Sequence, residues 1–407
     1  MALAIFALTY FFLAGFRLRW TKLDRPGGAL VGAAAMVAFG VVAPKDALAA
    51  IDFDTLILLL GMMLLAAYLT RAGFFRNAAW RVLKVARTPR VLLVCLAVVS
   101  AVLSAFLVND TVCLMLTPLV LVLVEGAELP PLPYLLTLCM ASNTGSLATF
   151  TGNPQNMLIG NLSGQSYGTF AAYMALPAAV ATAVVVVTIL VMFRAQLPAK
   201  RFVPAAAVPP IDSRLLWLCG AVSVAVVGCF FAGLSMAWSA LVGAAAVVAL
   251  SGKPPREQLE KIDWVLLLFF ASLFVVVHGV SADGWAERMR QAFAPLMQGS
   301  GLKETAGFSA LTLVGSNLFS NVPFVMLARS WVPAMSNPAL GWQVLALAST
   351  LAGNLTLVGS VANLIVFEGA RGKVENPFWA YLKVGVPATI LSLAPALAVL
   401  WVEHAIF

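Results

Sequence analysis

Residues 141–156 read ASNTGSLATFTGNPQN, and residues 348–363 read ASTLAGNLTLVGSVAN. At an offset of 207 the two stretches share Ala141/Ala348, Ser142/Ser349, Thr149/Thr356, Gly152/Gly359 and Asn156/Asn363. Each places Ser, Thr, Asn and Gly in the middle of an otherwise apolar run. Biased composition does not put polar identities in register, so the chain reads as two copies of one unit. The correspondence extends outward. At an offset of 211, Pro44, Leu48, Ile51 and Asp52 meet Pro255, Leu259, Ile262 and Asp263, and Gly73 meets Gly284. At 212, Ser104 and Asn109 meet Ser316 and Asn321. The small changes in offset are differences in loop length.

Of the 407 residues, 62% are hydrophobic and only 10% charged, well below the charged share of a soluble domain, so the unit is built for lipid. Runs long enough to cross a bilayer lie at about 2–17, 27–44, 54–70, 134–160, 168–193, 214–232, 236–250, 264–280, 343–368 and 378–402. Two more, 91–124 and 304–336, are interrupted by polar residues near their middles. The first run has no charged leader or small-residue cleavage site, so it reads as a retained helix. Cys95, Cys113, Cys139, Cys219 and Cys229 all sit in apolar segments, with no disulfide framework and no zinc spacing.

A net charge of +8 would suit nucleic acid if it were spread over one face, but 20 of the 25 Lys and Arg cluster in alternate loops, leaving Lys45, Arg288, Arg290, Lys303 and Arg329. The clusters are Arg17, Arg19, Lys22 and Arg25; Arg71, Arg76, Arg81, Lys84, Arg87 and Arg90; Arg194, Lys200, Arg201 and Arg214; Lys253, Arg256 and Lys261; and Arg371, Lys373 and Lys383. The positive-inside rule puts these in the cytoplasm and both termini outside, in a multi-pass protein of the inner membrane. For that count to hold, 91–124 must enter and return from one side, and 304–336 from the other.

Each half then has five spans and one re-entrant hairpin. Five is odd, so the second copy sits upside down. The expected fold is an all-α polytopic membrane protein with an inverted-topology repeat, the plan of secondary transporters. The first repeat is 1–193, with hairpin 91–124 and broken helix 134–160. A cytoplasmic linker covers 194–213. The second repeat is 214–407, with hairpin 304–336 and broken helix 343–368.

Four polar elements thus fall at membrane depth: the tips around Asn109 and Asn321, and the stretches 142–156 and 349–363. Irregular backbone is tolerated there only inside protein or along a cavity. Gly145, Gly152, Pro154, Gly353 and Gly359 supply the backbone freedom and missing donor of an unwound span. The ends of broken helices can hold an anion and a cation side by side.

NDTVCLMLTP, SNTGSLATFTGNPQN, SNVPFVML and STLAGNLTLVGSVANLIV, in that order, resemble the motif set of the ion transporter superfamily, especially its arsenite-permease and silicic-acid-efflux branch, related to citrate-transporter-like proteins and divalent anion:sodium symporters. The resemblance implies a homodimer with a scaffold and a mobile transport domain working as an elevator. Carried over residue by residue, it implies substrate contacts at Asn109, Thr111, Asn143, Thr144, Gly152, Asn153 and Pro154. In the second half it implies Ser320, Asn321, Asn354, Gly359 and Ser360. Asp110, Ser104 and Ser316 are implied in proton or ion coupling, and any sodium would lie near Asn109, Gly152, Asn321 and Gly359. The second tip reads Ser-Asn-Val, and Val361 stands where the first break has Pro154, so the two halves are not chemically equal.

Asp110 aligns with Val322, so the charge exists in one half only. A carboxylate at the centre of a span costs roughly 2.5–3.5 kcal/mol and is functional by default; the plainer reading is a cap on the returning hairpin arm. Asn109 and Asn321 carry the same pair of readings. Thr149 and Thr356 also suit interhelical hydrogen bonds. Cys113 and Cys139 suit either As(III) thiolates or, as is ordinary in apolar helices, packing. His278 suits an interfacial hydrogen bond or a proton relay. Asp52 and Asp263 read as helix starts, and 74–87 and 283–297 as amphipathic interfacial helices.

With no GxxxxGK[ST] and no HExxH, neither ATP hydrolysis by this chain nor metalloprotease chemistry is expected, and no cofactor. The expectation is a secondary transporter, not an enzyme, moving a small inorganic oxyanion or metalloid acid such as arsenite, antimonite or silicic acid outward in exchange for protons. Sodium-coupled anion or dicarboxylate uptake, or sodium/proton antiport, is the alternative in the same fold. A passive channel or a receptor stands further off.

Overall fold

The computed structural model describes residues 1–13, 23–198, 210–297, 299 and 301–406. Arg17, Arg19, Lys22, Lys200, Arg201 and most of the expected linker lie outside the described residues. The described residues form twenty α-helices, ten in each half. The first half runs α1 (Ala2–Leu13), α2 (Arg25–Ala38), α3 (Pro44–Ala50), α4 (Phe53–Arg71) and α5 (Phe74–Val85). It continues with α6 (Pro89–Phe106), α7 (Asn109–Gly126), α8 (Pro131–Ser146), α9 (Pro154–Ser163) and α10 (Tyr167–Met192). The second half runs α11 (Ser213–Phe231), α12 (Met236–Leu250), α13 (Arg256–Leu259), α14 (Trp264–Ala282) and α15 (Trp285–Phe293). It ends with α16 (Leu302–Phe319), α17 (Asn321–Ala328), α18 (Pro338–Ala352), α19 (Val361–Gly369) and α20 (Pro377–Ile406).

Local chemistry sets the same boundaries in both halves. Asp52 opens α4 by accepting from the Thr55 N–H at 2.9 Å, and Asp263 opens α14 by accepting from Leu266 N–H at 2.8 Å. A carboxylate there satisfies an orphan donor and complements the helix dipole. Gly73 (φ 87°) and Gly284 (φ 78°) turn the chain from α4 into α5 and from α14 into α15, in a left-handed conformation that a Cβ disfavours.

Seven of the described helices are long and apolar enough to cross a membrane: α4, α6, α7, α10, α11, α14 and α20. The outer surface carries exposed Trp217, Val224 and Val242, the inverse of a soluble protein and the surface a lipid-facing helix presents. Between helices in lipid there is little hydrophobic drive, so close approach of backbones matters more. A Cβ on Gly61 of α4 would stand 2.7 Å from the Ala240 backbone of α12, and one on Gly145 of α8 would stand 2.2 Å from Ala101 Cα of α6. The halves interlock: α2 packs along α14, α12 along α4, and α10 along α20.

Helices α6 and α7 are joined by Leu107 and Val108 alone, and α16 and α17 by Ser320 alone. Ser320 has φ 67° and ψ 157°, a region nearly reserved for glycine, so the second tip holds local backbone strain of roughly 1–3 kcal/mol. The breaks are later than the polar composition suggested. Asn143, Thr144 and Ser146 are still in α8, because helical neighbours satisfy them: Ser146 Oγ donates to Asn143 O at 2.8 Å, and Thr144 Oγ1 meets Thr182 Oγ1 of α10 at 2.7 Å. The unwound stretches are 147–153 and 353–360, each containing one short 3-10 turn, at Phe150–Gly152 and Leu357–Gly359.

Candidate functional site

Helices α7, α9, α17 and α19 all begin at one cavity of about 40 Å³. The first tip contributes Asn109 and Asp110, and the second Ser320, Asn321 and Val322. The first break contributes Pro154 and Gln155, the second Val358, Gly359, Ser360 and Val361. Phe269 and Phe270 of α14 and Arg25 of α2 complete the wall. By this measure one water needs roughly 10–15 Å³, so the space suits a solute of a few heavy atoms. Four helix N-termini bring unpaired N–H groups and positive partial charge to it.

Acceptors face those donors. Asn109 Oδ1 and Asn321 Oδ1 are both buried without a hydrogen-bond partner, although both residues line the cavity. The Asn109 amide nitrogen is anchored instead: it donates to Asn143 Oδ1 at 3.0 Å. Asn143 passes the connection across the halves, donating to Asn354 Oδ1 at 2.9 Å and Asn363 Oδ1 at 3.1 Å, while Ser360 Oγ donates to Asn143 Oδ1 at 3.3 Å. Buried amide chains of this kind rigidify what they join.

Asp110 is 7% exposed. Neither it nor Asn109 caps its own arm: α7 begins after Val108 with no side-chain cap, which corrects the capping alternative drawn from the sequence. Its carboxylate lies near the Ala362 backbone, at the start of α19 in the other half, and within the field of Asp263. The asymmetry of the charge follows. In the first half Asn153 caps α9 by accepting from Asn156 N–H at 2.9 Å. Its counterpart Ser360 makes no cap, having turned its hydroxyl to Asn143, and the uncapped start of α19 lies near the Asp110 carboxylate.

The remaining sequence-chosen residues surround the cavity rather than line it. Ser104 Oγ pairs with Ser142 Oγ at 2.6 Å, and Ser316 Oγ is buried and unpartnered. Thr111 is half-buried on α7 beside the tip. Thr144 lies in α8 against α10, and Asn354 donates to Met140 O at 3.3 Å. Gly152 is a close-approach position, since a Cβ there would meet Ser146 O at 2.1 Å. Asn153 also donates to Ser146 Oγ at 2.8 Å and Thr350 Oγ1 at 3.2 Å. Thr149 Oγ1 donates to Ala105 O, and Thr356 Oγ1 donates to Asn317 Oδ1 at 3.1 Å, so both threonines are interhelical braces at matched positions. Cys113 and Cys139 are free and fully buried, and line no part of the cavity. His278 is likewise absent from its wall.

Sequence reading missed Arg25, Gln155, Phe269 and Phe270. Gln155 stands inside the quoted GNPQN motif and could have been taken with its neighbours. Arg25 was grouped with the loop charges, and nothing local distinguishes the Phe pair from other apolar residues of α14.

The sequence profile of the family described as citrate transporter matches residues 16–352. The chain belongs to the citrate transporter family. Within the wider ion transporter superfamily it is 32% identical over 447 aligned positions to the silicon efflux transporter LSI3 of Oryza sativa subsp. japonica, covering 91% of each chain. It is 26% identical to the putative transporter arsB of Dictyostelium discoideum, over 95% of this chain and 89% of that one. The fold is similar to that of the YdaH transporter of Alcanivorax borkumensis, with a TM-score of 0.61 and 16% identity over 99% and 96% of the two chains. Membership of the citrate transporter family gives the chain a transport role, and its apolar helices suit a membrane.

Proposed function

We propose that this chain is a secondary transporter that carries a small, neutral metalloid acid of the silicic or arsenous type, antimonite included, outward in exchange for protons. The observation that carries the proposal is the composition of the cavity: four helix N-termini as donors, and two unpartnered amide oxygens with one carboxylate as acceptors, around about 40 Å³. A hydroxyl on silicon or arsenic donates and accepts at once, so a polyhydroxy acid satisfies both sets. The names of the rice and Dictyostelium relatives point the same way. A tricarboxylate is too large for this space.

The coupling follows from where Asp110 sits. Ionised, it sets a negative charge beside the uncapped start of α19 and draws the first tip toward the second half. Protonated, it loses most of that attraction and can donate to substrate oxygen. Protonation thus changes the cavity and the joint between halves together. In this reading the two halves are inverted repeats, residues 1–193 and 214–407. The hairpins α6–α7 and α16–α17 move with the broken helices against a scaffold built on the α2/α14 and α4/α12 pairs, in an inner-membrane homodimer with both termini outside. Amphipathic α5 and α15 join the two parts.

One observation favours a second reading. Oxygen-rich walls at Asn109, Asn321, Gly359 and Ser360 also suit sodium, a hard cation that takes oxygen ligands. Purified protein in proteoliposomes separates the two. Silicic acid or arsenite efflux that follows a pH gradient, is unchanged when choline replaces sodium and is not competed by citrate supports the first reading. Strict sodium dependence, or preference for a dicarboxylate, overturns it.

A further inference from the structure

Among the described residues only two of the cavity wall are charged, Asp110 and Arg25. Arg25 is the first residue of α2, half-buried, and takes part in no ion pair among the described residues. The adjacent carboxylate is otherwise engaged: Asp24 caps α2, accepting from Gly27 N–H at 2.9 Å. The position of Arg25 is set by rigid surroundings. Pro26 follows it in the first helical turn, Gly28 and Gly32 let α2 close on Phe12 and Thr9 of α1, and α2 packs along α14. None of these belongs to the hairpins.

We infer that Arg25 selects the coupling ion: its guanidinium, on the wall of the Asp110 cavity, bars sodium and leaves the proton as the charge that site exchanges. The inference rests on the transport reading above and deepens it. A sodium ion entering this cavity meets a cation and the positive ends of four helices before it reaches Asp110. A proton removes the carboxylate charge without needing room or ligands. With Asp110 ionised the pair is neutral overall; with Asp110 protonated the wall is cationic, and the neutral acid is the solute least affected by that change.

The groups that act on Asp110 can be named element by element. Arg25 of α2 shares the cavity wall with it, Asp263 acts on it from the start of α14, the Ala362 backbone lies near it at the start of α19, and Cys113 lies one turn along α7. The α5 helix packs against the far half of α7, where Ala79 and Val82 meet Leu116, Val120 and Val124, so its basic residues are remote. Among these groups Arg25 alone is cationic.

The test uses the full chain in proteoliposomes, with arsenite or silicic acid efflux followed as a function of pH and sodium. Wild type is expected to be indifferent to sodium. Arg25→Gln is expected to move the midpoint of the pH profile up by about one unit, because an opposite charge favours the ionised carboxylate and its loss reverses that. The same variant should become sensitive to sodium, while Arg25→Lys, which keeps the charge, should remain indifferent. An unmoved midpoint together with retained sodium indifference in Arg25→Gln overturns the inference. A second measurement needs no Arg25 variant: sodium should not raise the thermal stability of wild type in detergent at pH 8, and a sodium-dependent rise that Asp110→Asn abolishes also overturns it. Absence of any arsenite or silicic acid flux in wild type would instead sink the transport reading on which the inference rests.

Discussion

Asn156 and Asn363 hold the two unwound stretches in shape, and removing either amide should destabilise the protein by a calculable amount. Asn363 Nδ2 donates to Gly353 O at 2.7 Å and to Thr356 O at 3.2 Å. Asn156 Nδ2 donates to the matched carbonyls Ser146 O at 3.2 Å and Thr149 O at 3.1 Å. Thr356 O keeps a second donor, the Gly359 N–H at 3.1 Å, so the full loss in Asn363→Leu falls on Gly353 O. A buried carbonyl left unsatisfied costs roughly 1–3 kcal/mol, and an interhelical hydrogen bond inside a membrane protein averages about 0.6 kcal/mol. One full loss and one partial loss together give about 2–3 kcal/mol. Asn363 Oδ1 also accepts from Asn143, whereas Asn156 Oδ1 has no partner, so Asn363→Leu should lose about 0.6 kcal/mol more than Asn156→Leu. Denaturant unfolding in detergent, followed by tryptophan fluorescence, measures both. Either variant within about 0.5 kcal/mol of wild type, or the reverse order of loss, would refute the bracing role.

Three further outcomes are expected. Gly145→Ala should cost roughly 3 kcal/mol, the upper end for overpacking, because the added Cβ meets the Ala101 backbone rather than a movable side chain; Gly220→Ala in α11, with open space around it, should gain about 0.5–1 kcal/mol, and thermal melts compare them. Ser320→Gly should raise unfolding stability by about 1 kcal/mol by relieving the strained tip, while lowering transport affinity through loss of a cavity hydroxyl; a variant less stable than wild type would show the tip is unstrained. On exposed α15, Arg290, with help from Gln291, holds the Glu287 carboxylate down to about 2. A depressed carboxylate contributes above its unfolded value and loses that contribution as pH falls toward the folded one, so Glu287→Gln should melt below wild type by a constant offset between pH 5 and 8 and converge on wild type as pH falls from about 4.5 toward 2, with the pH profile of transport unmoved.

Much of the architecture was legible because lipid makes polarity rare. Asn, Ser and Gly at membrane depth mark breaks, and the matched pairs Asp52/Asp263 and Gly73/Gly284 mark helix starts and turns that occupy equivalent positions in the structure. What the sequence could not show is which half each polar group serves. Asp110 read as a functional carboxylate or, more plainly, as a cap on its own arm; the interlocking of the halves instead brings it near the start of α19, where Ser360 stands in place of the capping Asn153 of the first half. Asn156 and Asn363 were visible as identities, yet their work on carbonyls seven and ten residues earlier exists only once the chain unwinds. Arg25 reaches the cavity through the packing of α2 on α14, a tertiary fact with no local signature.

The central claim is that a proton on Asp110 drives solute movement, and the most direct test follows solute and proton fluxes together. Proteoliposomes loaded with arsenite or silicic acid and given an inwardly directed proton gradient should show wild-type efflux accompanied by proton uptake. Asp110→Asn, which keeps the size of the side chain and removes its titration, should fold and equilibrate solute slowly across the membrane, with neither concentrative efflux nor proton movement. Gradient-driven efflux with coupled proton uptake persisting in Asp110→Asn would contradict the account.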